Sequence, residues 1–247
     1  MRALVVLPSY NERENILPLI QDVLEGDPER CVCVVDDNSP DETYRLVEQT
    51  LASRAGWAGR VHLIVRSKKD GRGGAVREGL RWGRQANVPF DAFVEMDCDY
   101  SHEPEAIHDG LGLLRSGYDV VIGARYPDGV ISGWPMSRRV FSRLANAVAR
   151  ALIDRSVRDY TNGFRFYSPR AVETLLRHRQ EHTGYVYLSE SLSHLLRAGF
   201  RIGAFPIRFR NRERGASNTD LREIGAALAG IVQIAWDHHR PKNRTAG

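Results

Sequence analysis

Two aspartates lie one residue apart in the segment FVEMDCDYSHEP, residues 93–104, directly after a short apolar run. A carboxylate at the end of a buried strand is costly to desolvate unless a positive group meets it. Asp97 and Asp99 in this D-x-D spacing can share one divalent cation, and their hard oxygen ligands suit Mg²⁺ or Mn²⁺. The same pair could serve as the acid and base of a paired-carboxylate hydrolase, or Asp99 could cap the helix that begins near Glu103. Capping does not explain Asp97, which stands immediately after the apolar run.

A second acidic pair, Asp36 and Asp37, closes the apolar run of CVCVVDDNSPD. A carboxylate in this position commonly accepts hydrogen bonds from a ribose or a base in dinucleotide-binding folds. However, PSYNE stands where a G-x-G-x-x-G turn would follow the first strand, and the chain has no G-x-x-x-x-G-K-[ST] sequence. The turn KKDGRGGA could cradle a phosphate, although a glycine-rich turn alone is a weak signal. The pattern predicts a nucleotide-type site that is neither a hydride-transfer site nor an ATPase site.

Short runs of Val, Ile and Leu alternate with amphipathic segments through the first two-thirds of the chain. This alternation predicts an α/β fold with a Rossmann-like, mostly parallel central sheet and helices on both faces. Ligands bind at the carboxyl ends of the strands in such sheets. Polar residues follow four of the predicted strands: Tyr10, Asn11 and Glu12 the first, Asp36 and Asp37 the second, Asp97 and Asp99 the fourth, and Arg125 the fifth. We expect a binding site at this edge, and we expect Asn11 to cap the first helix.

The composition limits the classes of partner and the compartment. The 247 residues carry a formal net charge of +4, and no basic stripe is interleaved with aromatic residues, so nucleic-acid binding is not expected. Three cysteines without a disulfide framework favour a reducing compartment. Cys31 and Cys33 alternate with valine and should point to one face of a strand.

The C-terminal region combines an apolar stretch with a basic tail. IGAALAGIVQIAW, residues 224–236, is too short to span a membrane and leads into DHHRPKNR. It could form a helix that lies on a membrane surface, or a helix that packs on the core. No signal peptide is evident in MRALVVLPSYNE. We expect a cytoplasmic protein with optional peripheral contact to the cytoplasmic membrane face, built from a domain at residues 1–223 and a helix and tail at residues 224–247.

Four segments resemble the family-2 glycosyltransferases of the GT-A fold: PSYNE at 8–12, VVDDNSPDET at 34–43, MDCDYSHEP at 96–104 and GARY at 123–126. Within that family the chain is most similar to the dolichyl- and polyprenyl-phosphate mannose synthases. GWPMSRRVFSRLAN resembles their acceptor-side segment, DYTNGFRFYS their D-x-T-x-G-F-R element, and IGAFPIRFRNRERGASN their closing segment. The resemblance runs from residue 3 to residue 222. It implies a metal-dependent, inverting transfer of a sugar from a nucleotide-sugar, with GDP-mannose as the first choice, to a polyprenyl phosphate.

The resemblance also implies roles for individual residues. The nucleotide-sugar donor would be bound by Pro8, Tyr10, Glu12, Asp36, Asp37 and Asp97. The metal, Mg²⁺ or Mn²⁺, would be held by Asp97 and Asp99, with Ser101 as a further ligand. The phosphate of the lipid acceptor would be received by Arg125, Arg138 and Ser142. Catalysis would rest on Asp99, Arg125, Arg138 and Arg212, with Arg212 closing over the donor diphosphate.

Other readings of the sequence stay open. Ser217 and Asn218 stand where the family carries Ser-Lys, so UDP-glucose and UDP-N-acetylglucosamine stay open as donors beside GDP-mannose, and a soluble molecule stays open as the acceptor. A nucleotide-sugar-binding protein without turnover is a further alternative.

Four further polar residues are not assigned to the donor, metal or acceptor sites. Asp159 and Arg165 should pair with each other and brace the fold. Glu190 fits a structural role as well as a catalytic one. His102 is expected to be a turn or supporting residue rather than a metal ligand.

Overall fold

A mostly parallel sheet lies at the centre of the computed structural model, which describes residues 1–69, 71–182, 184, 186–211 and 221–240, with side chains for all but residues 221–227. Its strands are β1 (Ala3–Ser9), β2 (Arg30–Asp36), β3 (Val61–Val65), β4 (Ala92–Glu95), β5 (Val120–Ala124), β6 (Val130–Ser132), β7 (Arg165–Tyr167), β8 (Ile202–Pro206) and β9 (Arg208–Arg210). In this part of the chain the main sheet has the order β3-β2-β1-β4-β7-β5-β8, and β6 pairs with β9. Only β7 in the main sheet runs antiparallel to its neighbours.

Helices cover both faces of the main sheet. They are α1 (Ile16–Glu25), α2 (Thr43–Ser53), α3 (Gly71–Gln85), α4 (Ile107–Arg115), α5 (Met136–Leu152), α6 (Pro169–Arg177), α7 (Val186–Arg197) and α8 (Leu221–His239), with short 3₁₀ turns at Ala55–Trp57 and Pro104–Ala106. The α1, α2 and α4 helices pack on one face, and α3 and α5 to α8 pack on the other. The predicted α/β architecture is confirmed.

The central strands are apolar throughout because both of their faces are buried. In β1, Val5 and Leu7 join one core cluster, whereas Leu4 and Val6 join the cluster on the opposite face. A strand covered on both sides has no polar face, which explains the continuous apolar runs in the sequence. Cys31 and Cys33 both lie in the second cluster, as their alternation with valine predicts.

The topology fixes where a ligand can bind. The chain leaves β1 for β2 on one side and returns to β4 on the other side of β1, so the strand order reverses at this point. Loops diverge from such a reversal and leave a crevice beyond the carboxyl ends of the strands. The residues after β1 and the D-x-D aspartates after β4 face this crevice from its two sides.

One local prediction was wrong. Asn11 does not cap α1: the helix begins at Ile16 after Asn15, and Asn11 takes a left-handed conformation with φ of 59°. The segment RIGAFPIRFR forms two strands, because the chain leaves the main sheet after Pro206 and pairs with β6.

The C-terminal apolar stretch forms α8, which packs against α5 and α7. Its Ile231, Ile234 and Ala235 side chains are buried in the second core cluster. The boundary predicted at residues 223/224 lies within this helix. None of the helices that the structure describes is both long and apolar enough to cross a membrane.

Candidate active site

A buried carboxylate joins the loops that follow β1 and β2. Asp36 Oδ2 accepts hydrogen bonds from the hydroxyls of Ser9 at 2.9 Å and Ser39 at 2.7 Å, and its Oδ1 accepts from the Ser39 backbone N–H at 2.8 Å. These three donors compensate the carboxylate for the loss of water. Asp36 therefore fixes the two loops to each other, and the donor contact predicted for it stays a prediction.

Asp37 forms an ion pair at the edge of the sheet. Arg66, which directly follows β3, places Nη1 2.6 Å from Asp37 Oδ1, and its Nε lies 3.2 Å from Glu78 Oε2. The side chains of Asp37 and Arg66 are only 6% and 10% exposed, so water screens their attraction weakly. Arg66 was not among the predicted site residues, although its position directly after a strand is the same signal that singled out the aspartates.

The loop after β1 carries the predicted base-binding residues into the crevice. The Glu12 backbone N–H donates to Thr43 Oγ1 at 3.1 Å, and Glu12 Oε2 accepts from Asn15 Nδ2 at 2.9 Å. The ammonium of Lys69 lies 3.7 Å from the ring centroid of Tyr10, a cation–π contact. An aromatic ring and a cation therefore stand together at the mouth of the crevice, a combination suited to a base and a phosphate.

A thiol joins the end of β1 to the D-x-D segment. The Cys98 Sγ donates to the carbonyl of Pro8 at 3.2 Å. Burial raises the pKa of the Cys98 thiol well above its ordinary value, and the carboxylates of Glu12, Asp97 and Asp99 raise it further. Cys98 therefore stays protonated and acts as a packing residue.

The D-x-D segment folds into a tight turn. Tyr100 is left-handed, with φ of 58°, and the Ser101 backbone N–H donates to Asp99 Oδ1 at 3.0 Å. The hydroxyl oxygen of Ser101 is buried and has no hydrogen-bond partner among the described residues. Asp97 and Asp99 thus flank Cys98 in the turn that follows β4, and Ser101 comes two residues after Asp99.

His102 supports this turn from inside. The backbone N–H of Asp97 donates to His102 Nδ1 at 3.3 Å, and His102 Nε2 lies 3.0 Å from Asn162 Oδ1. Burial lowers the pKa of His102, so the ring is neutral with its proton on Nε2, directed to Asn162. The ring also stacks on Phe164, with centroids 5.0 Å apart. His102 is a supporting residue of the turn, as the sequence suggested.

Arg72 reaches Asp97 from the first turn of α3. Its Nε donates to Asp97 Oδ1 at 2.7 Å, and its Nη1 donates to Glu95 Oε1 and to the Tyr187 hydroxyl. Glu95 is fully buried and also accepts a hydrogen bond from the Tyr167 hydroxyl at 3.0 Å. The sequence reasoning missed this network, and the available signal was a glutamate inside the apolar run AFVEM.

Arg125 is paired with Asp159, so the predicted pairing of Asp159 with Arg165 was wrong. The Arg125 Nε and Nη2 atoms each lie 2.9 Å from an oxygen of Asp159, and the Arg125 backbone N–H donates to the same carboxylate at 3.1 Å. Burial raises the pKa of Asp159, but Arg125 lowers it by more, so the net shift is downward. Arg165 donates instead to the carbonyls of Asn162 and Leu188, among others.

Arg138 and Ser142 lie on successive turns of α5. The Arg138 guanidinium carbon stands 4.2 Å from the ring centroid of Trp134, and its Nη1 donates to Asn211 Oδ1 at 3.2 Å. Arg125 contacts the same Trp134 ring at 5.4 Å. Trp134 therefore brings together two of the three residues that were predicted to hold the acceptor. Arg212, the predicted catalytic arginine, and the Ser217-Asn218 pair lie outside the described residues.

Several polar atoms near Arg125 and α5 are buried without a hydrogen-bond partner among the described residues. They are Tyr126 Oη, Trp134 Nε1, Arg139 Nε and Ser142 Oγ. A buried donor without a partner costs about 1–3 kcal/mol, so unpaired buried donors usually serve a ligand or water. All four groups can donate a hydrogen bond, which suits an anion.

Glu190 has a structural role. Its carboxylate accepts hydrogen bonds from the backbone N–H groups of Glu181 at 2.8 Å and His182 at 2.9 Å, and its Oε1 lies 3.0 Å from His178 Nε2. Burial raises the pKa of Glu190, but these hydrogen bonds lower it by more. The contacts fasten the segment after α6 to α7.

The donor set around the aspartates fits a metal that is shared with a substrate. A cavity of about 580 Å³ opens beside Asp99 and is also lined by Asp22, Glu103 and Arg210. No group of three or more His, Cys, Asp or Glu side chains in the described part of the chain is arranged to hold a metal ion. Mg²⁺ usually takes only one or two protein carboxylates and completes its shell with water and substrate phosphates. Asp97 and Asp99 could supply those one or two carboxylates. The described residues do not form a closed structural metal site.

Comparison with known proteins gives matches over most of the chain. The family model for glycosyl transferase family 2 matches residues 4–176. A polyprenol monophosphomannose synthase of Mycolicibacterium smegmatis is 34% identical over 233 residues, which cover 94% of this chain and 86% of that protein. An undecaprenyl-phosphate mannosyltransferase of Micrococcus luteus is 34% identical over 234 residues, covering 94% of this chain and 93% of that protein.

Solved structures match the fold. Glucosyl-3-phosphoglycerate synthase from Mycobacterium tuberculosis, in complex with phosphoglyceric acid, superposes with a TM-score of 0.65 at 19% identity, covering 98% of this chain and 81% of that one. The complex of that enzyme with Mn²⁺, uridine diphosphate and glucosyl-3-phosphoglycerate gives a TM-score of 0.62 at 18% identity, covering the same 98% and 81%. At these identities the likeness supports the fold alone, and it confirms the predicted GT-A architecture.

Proposed function

Because this chain belongs to glycosyltransferase family 2, we propose that it transfers a sugar from a nucleotide-sugar donor to a polyprenyl phosphate, with mannose from GDP-mannose as the first candidate. The observation that carries the proposal is the 34% identity, over 94% of the chain, to two proteins named for mannosyl transfer to polyprenyl phosphates. The crevice supplies what the reaction needs: carboxylates, arginines, and the buried donors of Tyr126, Trp134 and Ser142.

The donor would bind across the switch point of the sheet. Tyr10, Glu12 and the Asp37–Arg66 pair would take the nucleoside, since they come from the loops after β1, β2 and β3. The diphosphate would then extend toward Asp97 and Asp99. This direction follows from the sheet order, which places the end of β1 between the ends of β2 and β4.

Asp97 and Asp99 would hold Mg²⁺ or Mn²⁺, with the Ser101 hydroxyl as a further candidate ligand. When bound, the metal would neutralise the charge that develops on the leaving diphosphate. The Ser101 hydroxyl suits this role because it is buried and has no hydrogen-bond partner within the described residues.

The acceptor phosphate would bind at the start of α5. A phosphate is already anionic near neutral pH, so the transfer needs positioned donors rather than a strong general base. Arg138, Ser142, Trp134 and Tyr126 present such donors around the Arg125–Asp159 pair. A phosphate oxygen would attack the anomeric carbon from the face opposite the diphosphate. The new C–O bond would form as the bond to the diphosphate breaks, which inverts the anomeric centre.

The surface of α5 supports a peripheral membrane contact as part of this proposal. Met136, Val140 and Leu144 recur every four residues and are 71%, 58% and 52% exposed, so they form one apolar stripe on the solvent side of the helix. Arg139 and Arg143 stand on the same helix. An exposed apolar stripe next to arginines suits the surface of an anionic bilayer, where a polyprenyl phosphate would be found. The protein would then work at the cytoplasmic face of the membrane.

The first test is a thermal-shift panel of GDP-mannose, UDP-glucose, UDP-N-acetylglucosamine, GDP and UDP, each with and without Mn²⁺. A ligand that binds only the folded state raises the melting temperature by mass action. We expect a metal-dependent shift with the guanine nucleotides, followed by mannosyl transfer to a short polyprenyl phosphate. A shift with uridine nucleotides alone would name a different donor. The absence of any shift would overturn the transferase proposal.

The membrane contact has its own test. Sedimentation with vesicles containing phosphatidylglycerol should capture the wild-type protein, and the double variant Val140→Glu/Leu144→Glu should stay in the supernatant. Val88→Glu is the matched control because Val88 is 56% exposed but lies outside α5 and α8. Equal sedimentation of the double variant and the control would show that α5 is not the contact surface.

A further inference from the structure

Arg72 links the predicted metal ligand Asp97 to a carboxylate inside the sheet. Its Nε donates to Asp97 Oδ1 at 2.7 Å, and its Nη1 pairs with Glu95. Its Nη2 donates to the carbonyl of Gly163 at 3.1 Å. A guanidinium is a rigid fork, so contacts on several of its edges fix the position of its charge. The positive charge of Arg72 therefore stands beside Asp97 in a fixed place.

Glu95 is the counter-ion that keeps this guanidinium in place. It is fully buried on β4 and accepts hydrogen bonds from the hydroxyls of Tyr167 and Tyr187. A guanidinium stays protonated in proteins, and this one contacts the carboxylates of both Asp97 and Glu95. Arg72 is thus a permanent cation in contact with one oxygen of Asp97.

We propose that Arg72 is a positioning residue that neutralises Asp97 until a donor diphosphate arrives, and so makes metal binding depend on that diphosphate. This inference rests on the metal-dependent transfer proposed above. A divalent cation that approaches Asp97 alone meets a like charge already bound to the same carboxylate, and the two repel each other. A diphosphate brings negative charge that attracts both cations, so metal and diphosphate are expected to bind together.

The same helix offers an arginine with a different environment as a control. Arg77 donates to the carbonyls of Leu175, Leu176 and His178 at 2.6–3.1 Å. It joins α3 to the end of α6 and makes no contact with Asp97 or Glu95 among its hydrogen bonds. Replacing Arg77 removes a positive charge and a set of structural hydrogen bonds, while it leaves the neutralisation of Asp97 unchanged.

The test measures Mn²⁺ binding by electron paramagnetic resonance, with and without GDP or UDP, in the wild type, Arg72→Gln, Arg72→Lys and Arg77→Gln. The wild type should bind Mn²⁺ alone weakly and bind it much more tightly with a diphosphate. Arg72→Gln should bind Mn²⁺ alone about tenfold more tightly, which corresponds to about 1.4 kcal/mol. Addition of GDP or UDP should raise its Mn²⁺ affinity by a smaller factor than in the wild type. Arg72→Lys and Arg77→Gln should keep the weak binding of Mn²⁺ alone. A loss of stability by itself would not tighten metal binding, so the sign of the change separates the positioning role from a structural one.

A folded Arg72→Gln protein whose affinity for Mn²⁺ alone is unchanged or weaker would overturn the inference. If Arg72→Gln does not fold, Glu95→Gln is the second variant, because it makes the opposite change in charge. Glu95→Gln should weaken the binding of Mn²⁺ in the presence of GDP or UDP. Unchanged binding would count against the inference. These measurements need no sugar transfer. Failure of transfer with intact nucleotide-dependent Mn²⁺ binding would refute the proposed function alone, and absence of Mn²⁺ binding with either nucleotide would refute the inference.

Discussion

The Arg125–Asp159 pair allows one prediction of stability to be worked out from the structure. The two side chains are 5% and 0% exposed, and two nitrogens of the guanidinium each contact one oxygen of the carboxylate at 2.9 Å. Asp159→Asn keeps the volume of the side chain but leaves the Arg125 charge buried without its counter-ion. Breaking a buried ion pair in this way costs about 3–5 kcal/mol. We therefore expect Asp159→Asn to lower the free energy of unfolding by about that amount, which is a large part of the total for most domains.

The assay is urea denaturation followed by circular dichroism, with Asp128→Asn as the matched control. Asp128 pairs with Arg158 at 3.3 Å, but the two side chains are 64% and 49% exposed. Water screens such a pair, and its loss should cost less than about 1 kcal/mol. The double variant Arg125→Met/Asp159→Leu should recover part of the loss, because it leaves no unpaired charge in the core. If Asp159→Asn lowers the free energy of unfolding no more than Asp128→Asn does, the Arg125–Asp159 pair does not stabilise the fold.

Three further outcomes are expected. Asp99→Asn should lower turnover about 100-fold or more at saturating Mn²⁺, because less charge on the diphosphate is neutralised in the transition state. The melting temperature should be retained. Wild-type turnover would exclude Asp99 as a metal ligand. Arg138→Ala should raise the KM for a short-chain acceptor and leave donor affinity unchanged. Arg150→Ala is the control, since Arg150 is exposed on the last turn of the same helix, and it should change neither quantity. Equal effects of the two variants would show that Arg138 does not bind the acceptor. The pKa values of Asp159 and Glu190 are lowered in the folded protein, so in acid the unfolded chain binds more protons. Their stabilisation should be complete above the ordinary carboxyl pKa of about 4 and lost as the pH falls below it, which a series of urea midpoints from pH 7 to pH 3 would measure.

The sheet could be predicted from the sequence because the buried strands carry a strong local signal. Continuous apolar runs such as ALVVL and CVCVV are typical of strands buried on both faces. The position of the site follows from the same pattern, since the carboxyl ends of parallel strands share one edge. Asp37 and Asp97 could therefore be placed at this edge before the fold was known, and their roles in binding stay predictions.

The partners of those residues could not be predicted, because each ion pair joins segments that are distant in the sequence. Asp97 meets Arg72 and Asp159 meets Arg125, and nothing local marks either arginine as the partner. The sequence suggested Arg165 for Asp159, but Arg165 is turned toward backbone carbonyls in the core. The capping role predicted for Asn11 failed for a similar reason. Its backbone N–H donates to the Ser39 hydroxyl in the loop after β2, and this tertiary contact prevails over the local preference.

The pairs explain how so many carboxylates can stand at the end of a buried sheet. Asp37 is met by Arg66, and Asp97 is met by Arg72, so these two negative charges have a cation before any ligand binds. A nucleotide diphosphate that entered this crevice would meet charges that are already desolvated and held in place. Binding would then exchange one set of partners for another and would not require bare carboxylates to be stripped of water. In this arrangement the affinity for a donor depends on how readily each arginine can share its carboxylate. The arginines that pair with the aspartates should therefore influence donor and metal binding as strongly as the aspartates themselves.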